Sequence, residues 1–205
     1  NGAQIWMYDG QYWSRVVNSG LGNLNNVAVE TFAVYGDKLY AGTRNAQGAQ
    51  VWSTVDGTYW SVVVSDGFGR VSNVAILALA NYHNQLYAAV ENNSIGQGGE
   101  IWYYDGNSWQ PSAQRGFAST INPLDTNNAA IAALAVHNNL LYAGTVNDVY
   151  GTQVWFSDGS GWWPSTKTGF GRGQNNRAVR AIASYGSALW AGTENSSDGA
   201  SIWYG

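Results

Sequence analysis

Gln50-Val51-Trp52-Ser53-Thr54-Val55-Asp56-Gly57-Thr58-Tyr59-Trp60 decides the fold. Two aromatic-bearing runs flank an adjacent Asp-Gly pair. Gly accepts a positive φ at no steric cost, so the stretch reads as two β-strands joined by a tight hairpin. The first half returns at Gln4-Ile5-Trp6, Glu100-Ile101-Trp102, Gln153-Val154-Trp155 and Ser201-Ile202-Trp203, with Trp-to-Trp intervals of 46, 50, 53 and 48 residues. The second half, Asp-Gly-x-x-Trp, returns at Asp9 to Trp13, Asp105 to Trp109 and Asp158 to Trp162.

Two further phrases keep the same period. One is Gly-Phe-Gly or a close relative, at Gly20-Leu21-Gly22, Gly67-Phe68-Gly69, Gly116-Phe117-Ala118 and Gly169-Phe170-Gly171. The other is Leu-Tyr-Ala-Gly-Thr at Leu39 to Thr43 and Leu141 to Thr145, weakened at Leu86 to Val90 and varied at Leu189 to Thr193. Of the 11 Trp, only Trp163 stands outside these positions. Before the Leu-Tyr phrase runs a small, apolar segment, Val27 to Tyr35 in the first copy, as a strand buried on both faces would read. No helical periodicity persists. Each repeat is therefore four short strands, and four-stranded units of this length predict an all-β protein, a β-propeller of antiparallel blades.

With strands named A to D from the axis outward, the chain begins with C and D, runs through three complete sets, and ends with A, B and C. Four blades plus one extra strand follow if Trp13 to Val17 completes the last blade beside Ser201 to Tyr204. The alternative is five blades, incomplete or completed by a partner chain. No linker or compositional break interrupts residues 1–205, which predicts one domain.

Composition removes several classes. Charged residues are 11% and aromatics 14%, the reverse of a disordered chain. There is no Cys, so no disulfide framework, and no apolar run near the length of a membrane span. Net charge is −4, which argues against nucleic acid as a partner. No basic segment followed by an apolar stretch opens the chain, so a secretory leader has been removed or never existed. A secreted, extracellular location is expected.

The motif Ser53-Thr54-Val55-Asp56-Gly57-Thr58-Tyr59-Trp60 resembles the Asp-box of sialidase-type (BNR) propellers. In that family the hairpin joins the third and fourth strands of a blade; here it is one residue tighter. The resemblance implies an architecture, and no active site, since the Asp-box lies away from the family's catalytic face. Nearly equal blades also resemble the design of propeller lectins, which place sugar sites between blades.

A-to-B and C-to-D turns are tight, whereas the D-to-A and B-to-C loops on the opposite face are long, and long loops carry function. That face predicts a ligand-binding set: Phe68, Phe117 and Phe170; Asn26, Asn73, Asn128 and Asn176; and Asn45, Asn92, Asn147 and Asn195. Asn amides donate and accept, which suits hydroxyl recognition. The repeated Trp13, Trp60, Trp109 and Trp162 are candidate stacking platforms, although aromatics at such positions also supply core. Each turn Asp is expected to accept backbone N–H groups in its own hairpin. His83 and His137 are expected to pack at the ends of A strands.

No convergent carboxylate pair, nucleophile, cofactor motif or metal-ligand pattern recurs. The expected function is a multivalent carbohydrate-binding protein, a lectin, that is not an enzyme and uses no metal or cofactor. Repetition of loops as well as strands favours it, since avidity gains from a repeated weak site. The alternatives are a glycosidase or lyase with one axial site using carboxylates such as Glu30 and Glu194, and a protein-interaction scaffold. Glycans are the expected partners, with a homo-oligomer through the unpaired terminal strand.

Overall fold

The computed structural model describes residues 2–117 and 127–205; Ala118, which closes the third Gly-Phe-Gly phrase, lies outside them. Among the described residues there is no α-helix, and none is long and apolar enough to cross a membrane. The strands follow the order read from the repeats. β1 (Ile5–Tyr8) and β2 (Trp13–Val17) come first. Three four-stranded units follow: β3 (Ala28–Tyr35), β4 (Lys38–Arg44), β5 (Val51–Thr54) and β6 (Ser61–Val64); β7 (Asn73–Tyr82), β8 (Gln85–Asn92), β9 (Glu100–Tyr104) and β10 (Trp109–Ala113); and β11 (Ala130–His137), β12 (Leu140–Val146), β13 (Val154–Ser157) and β14 (Trp163–Pro164). The last unit has three strands, β15 (Asn176–Tyr185), β16 (Ala188–Asn195) and β17 (Ser201–Tyr204).

Within a unit every neighbour is antiparallel, and the Asp-Gly turns join the third strand to the fourth. Single bridges link successive units: Arg44 to Ala75, Glu91 to Ala130 and Val146 to Ala178. Each first strand carries a bulge at the same place, between Val29 and Thr31, Ile76 and Ala78, Ile131 and Ala133, and Val179 and Ala181. Glu30, Leu77, Ala132 and Arg180 are the extra residues, and a bulge re-aims the side chain it carries.

Apolar cores fill the junctions between units. Val51, Ile76, Leu86 and Val90 form the first, Ile101, Ile131, Leu141 and Trp155 the second, and Val154, Val179 and Ala191 a smaller third. Aromatic stacks tie each loop to the next unit: Phe68 on Trp102 at 4.9 Å, Phe117 on Trp155 at 4.5 Å and Phe170 on Trp203 at 4.8 Å between ring centroids. The loop residues that reach these stacks, with Leu21, have φ of 55–68°, a left-handed conformation that bulky residues seldom adopt. Burial of the rings holds it in place.

The succession of sheets does not close among the described residues. Trp13–Val17 does not lie beside Ser201–Tyr204: β2 pairs with β1, Trp6 opposite Arg15 and Tyr8 opposite Trp13, while β17 pairs with β16 alone. The hairpin at Asp9-Gly10 brings β1 to β2 across a minimal loop, whereas pairing β2 with β17 requires closure over nearly the whole chain.

Candidate functional site

Three places gather groups capable of chemistry or recognition. The first is the loop network expected to bind ligand. Asn26, Asn73, Asn128 and Asn176 are fully buried, and each donates from Nδ2 to the carbonyl of the Gly that opens its loop (Gly20, Gly67, Gly116, Gly169) at 2.8–2.9 Å. Each Oδ1 accepts from Asn45, Asn92, Asn147 or Asn195 at 2.7–2.9 Å. The second set of Asn in turn accepts backbone N–H groups of its own loop through Oδ1. All eight side chains thus hold the long loops to one another. Repetition of these Asn follows from repetition of that loop geometry.

In the second unit the network includes a carboxylate. Glu100, fully buried, accepts from Asn73 Nδ2 and Trp102 Nε1, both at 2.8 Å. Its Oε1 meets Arg70 Nη1 at 2.9 Å, an ion contact without hydrogen-bond alignment. Gln50 takes the same place in the first unit, accepting from Asn26 and Trp52 and donating to the Ser65 carbonyl.

The second place is the charged end of the inner strands. Arg44 bridges Glu30 at 2.5 Å and Glu91 at 2.9 Å. Further along, Glu194 is gripped by Arg177 and, at 2.7 Å, by Arg180, and Arg177 also faces Asp148 at 3.5 Å. The Arg177 guanidinium first, and then Arg180, hold the Glu194 carboxyl below the usual carboxylate range. Glu30 and Arg180 reach this region because they are the bulged residues. The repeat alone does not single these clusters out, since the position that carries Glu91 and Glu194 carries Arg44 and Val146 in the other two units.

The third place is a groove of about 260 Å3 on the tight-turn side of the second junction. Tyr87, Tyr103 and Trp162 stand in its wall beside Gln85, Ser112 and Ser160. Trp162 Nε1 donates to Ser112 Oγ at 2.9 Å, and the Tyr87 hydroxyl donates to Gln85 Oε1 at 3.1 Å. Burial pushes the Tyr87 phenol above its ordinary pKa, so it remains a hydroxyl. Of the sequence candidates, Trp162 faces this groove. Trp109 packs on Phe68 and Tyr104, Trp60 lies 6.3 Å from Phe32, and Trp13 is largely exposed beside Tyr8. Phe68 and Phe117 are packed in the first two junctions.

The turn aspartates behave as their hairpins require. Asp9, Asp56 and Asp105 each accept two backbone N–H groups, and Asp158 accepts the Ser160 N–H and hydroxyl. His137 occupies the end of its inner strand, bonded to Ser184 and Asn138. His83 lies one residue past that position, in the turn, where Tyr82 holds the strand end.

No protein-family model matches the sequence, and no curated protein matches it. Solved structures do. A sialidase from Trypanosoma rangeli aligns over 96% of this chain and 40% of its own, with TM-score 0.56 and 14% identity. An alpha-L-arabinofuranosidase from Clostridium thermocellum aligns over 89% and 69%, with TM-score 0.50 and 13% identity. An endo-arabinase from Bacteroides thetaiotaomicron aligns over 86% and 74%, with TM-score 0.50 and 13% identity. The fold is that of β-propellers. The expectation of a non-enzyme is corrected by these neighbours, which are glycoside hydrolases and sialidases, enzymes with this fold. Absence of a recurring catalytic motif does not exclude an enzyme, because a catalytic group is needed once per molecule and leaves no trace in a repeat.

Proposed function

We propose that the chain is a carbohydrate-active propeller that binds glycans in grooves between neighbouring sheets. The groove at Tyr87, Tyr103 and Trp162 carries this reading. Aromatic faces cover the C–H face of a sugar ring, while Gln85, Ser112 and Ser160 offer donors and acceptors to its hydroxyls without a charge to desolvate. The propellers it resembles support the same substrate class, since they include an alpha-L-arabinofuranosidase, an endo-arabinase and a sialidase solved in complex with sialic acid. The position of Tyr103 is Ser53, Phe156 and Tyr204 in the other units, so the grooves are unequal and their affinities differ. The buried Asn pairs act behind the site by fixing loops, and an extracellular place of action goes with the proposal.

Calorimetry against arabino-oligosaccharides and sialyl-oligosaccharides tests it. Trp162→Ala is expected to weaken binding roughly tenfold or more, the loss of one aromatic platform. Binding unchanged by that substitution, or no binding of any glycan at millimolar concentration, removes the reading.

A second reading, glycoside hydrolysis, is favoured by the charged cluster. Glu194, held ionised between two guanidinium groups, suits a nucleophile. Release of reducing sugar by the wild type, lost in Glu194→Gln and retained in Trp13→Ala, is the expected result under this reading. A wild type inactive on both glycan classes eliminates it.

A further inference from the structure

Charge and polarity separate the groove at the second junction from its counterpart at the first. Gln85 opens the second strand of its unit opposite Tyr82, and Lys38 holds the same position opposite Tyr35 in the first unit. Ser112 accepts from Trp162 Nε1 at 2.9 Å. Val63 stands three residues after Trp60, as Ser112 stands three after Trp109, and Trp109 Nε1 is buried without a partner. The first junction is thus closed around Tyr40, Val63 and Trp109, whereas the second keeps a polar groove of about 260 Å3.

Among the described residues, no Lys, Arg, Asp or Glu lines this groove. One charge stands just behind its wall. Ser160, which lines the groove, donates its N–H at 2.8 Å and its hydroxyl at 2.7 Å to Asp158 Oδ1. The exposed carboxylate is therefore one hydrogen bond away from any sugar that meets Ser160. The Ser160 N–H first, and then the hydroxyl, hold Asp158 below the usual carboxylate range, so it is an anion at neutral pH. His83, beside the same turn, stacks on Tyr82 and bonds through Nε2 to Asn139.

We propose that this groove binds uncharged glycans in preference to anionic ones, and that Gln85 and Asp158 set the preference. The inference rests on the glycan reading above and narrows its substrate class. An acidic sugar entering here sheds water from its carboxylate without meeting a guanidinium or ammonium group, and it faces the Asp158 charge as well. A neutral ring brings hydroxyls for Gln85, Ser112 and Ser160 to pair, and a C–H face for Tyr103 and Trp162 to cover. Ligand sites span about 300–1,000 Å3, so this groove holds a short stretch of a glycan rather than a long one.

Calorimetry with arabino-oligosaccharides, sialyl-oligosaccharides and the methyl esters of the latter tests the preference. Binding through this groove is the part lost in Trp162→Ala. Esterification removes the negative charge and keeps the sugar. Wild type is expected to bind the arabino-oligosaccharides, and to bind the esters roughly fivefold more tightly than the free acids at low salt. The difference between ester and acid should shrink in Gln85→Lys, which installs the residue that the first unit carries, and with added salt. It should shrink also in Asp158→Ser, whose hydroxyl still accepts in the turn. Free acids bound as tightly as their esters, in a Trp162-dependent way, overturn the preference and leave glycan binding standing. A difference that neither substitution changes overturns the roles of Gln85 and Asp158. Absence of Trp162-dependent binding for all three glycans removes the glycan reading, and this inference with it.

Discussion

Asn73 shows how much one side chain carries in this fold. Its amide donates to Gly67 and Glu100 and accepts from Asn92, all in the dry interior. Truncation removes three buried hydrogen bonds, while Gly67, Glu100 and Asn92 keep the Arg70 N–H, Trp102 and Ser72 as remaining partners. Asn73→Ala is expected to cost roughly 2–4 kcal/mol in urea unfolding, about 1 kcal/mol for each bond lost. At the opposite extreme of exposure, the turn aspartates work through charge. Backbone N–H groups of Tyr12 and Gln11 hold Asp9 below the usual value, those of Tyr59 and Thr58 hold Asp56 there, and those of Ser108 and Asn107 hold Asp105. A carboxyl depressed in the folded state stabilises fully above its unfolded value, and the contribution disappears as pH falls through the folded one. The melting temperature is therefore expected to drop as pH is lowered below about 4, the unfolded carboxylate value. An Asp9→Asn, Asp56→Asn, Asp105→Asn triple variant should show a shallower acid limb in the same scan.

Among elements, the second strands of the units differ in what they face. A Cβ on Gly144 would come within 2.6 Å of Val179 Cγ1, and one on Gly42 within 2.6 Å of Ile76 Cγ2. The Gly of the Leu-Tyr-Ala-Gly-Thr phrase thus lets one sheet approach the next. Gly192, in the same place on β16, has nothing closer than 3.8 Å, because no further sheet packs there among the described residues. Gly144→Ala is expected to destabilise by roughly 1–3 kcal/mol through overpacking. Gly192→Ala should fall within about 0.5 kcal/mol of wild type. Equal costs at the two positions in urea unfolding would mean that β16 is covered like β12.

At the scale of the molecule, stability is unevenly distributed along the succession of sheets. β8 is buried along most of its length, whereas β2 is half-buried at best and β3 and β15 expose Phe32, Val34 and Tyr185. Units that touch only their neighbours behave as a one-dimensional array. Hydrogen exchange is expected to be slowest in β7, β8, β11 and β12 and fastest in β1, β2 and β17. Protection that is uniform from β1 to β17 would contradict an open array.

The strands, their order and the Asp-Gly turns were legible because each rests on local chemistry repeated at a fixed interval: alternation, a Gly able to take positive φ, an Asp that caps its own turn. The Phe-on-Trp stacks left a sequence trace too, as a Phe and a Trp of constant spacing. Their partnership was not legible, since the Phe sits on a loop and the Trp on the third strand of the unit that follows. Asn26 and Asn45 stand out in the repeat, but whether an amide faces ligand or core depends on packing 19 residues away, and burial put them in the core. The Glu30–Arg44–Glu91 and Glu194–Arg177–Arg180 clusters come from bulges and bridges that bring distant charges together. Closure was likewise beyond the repeat pattern, because the same C strand phrase fits two edges equally well. A ladder already made within the Asp9-Gly10 hairpin, against one needing nearly the whole chain to close, decided it in favour of β1.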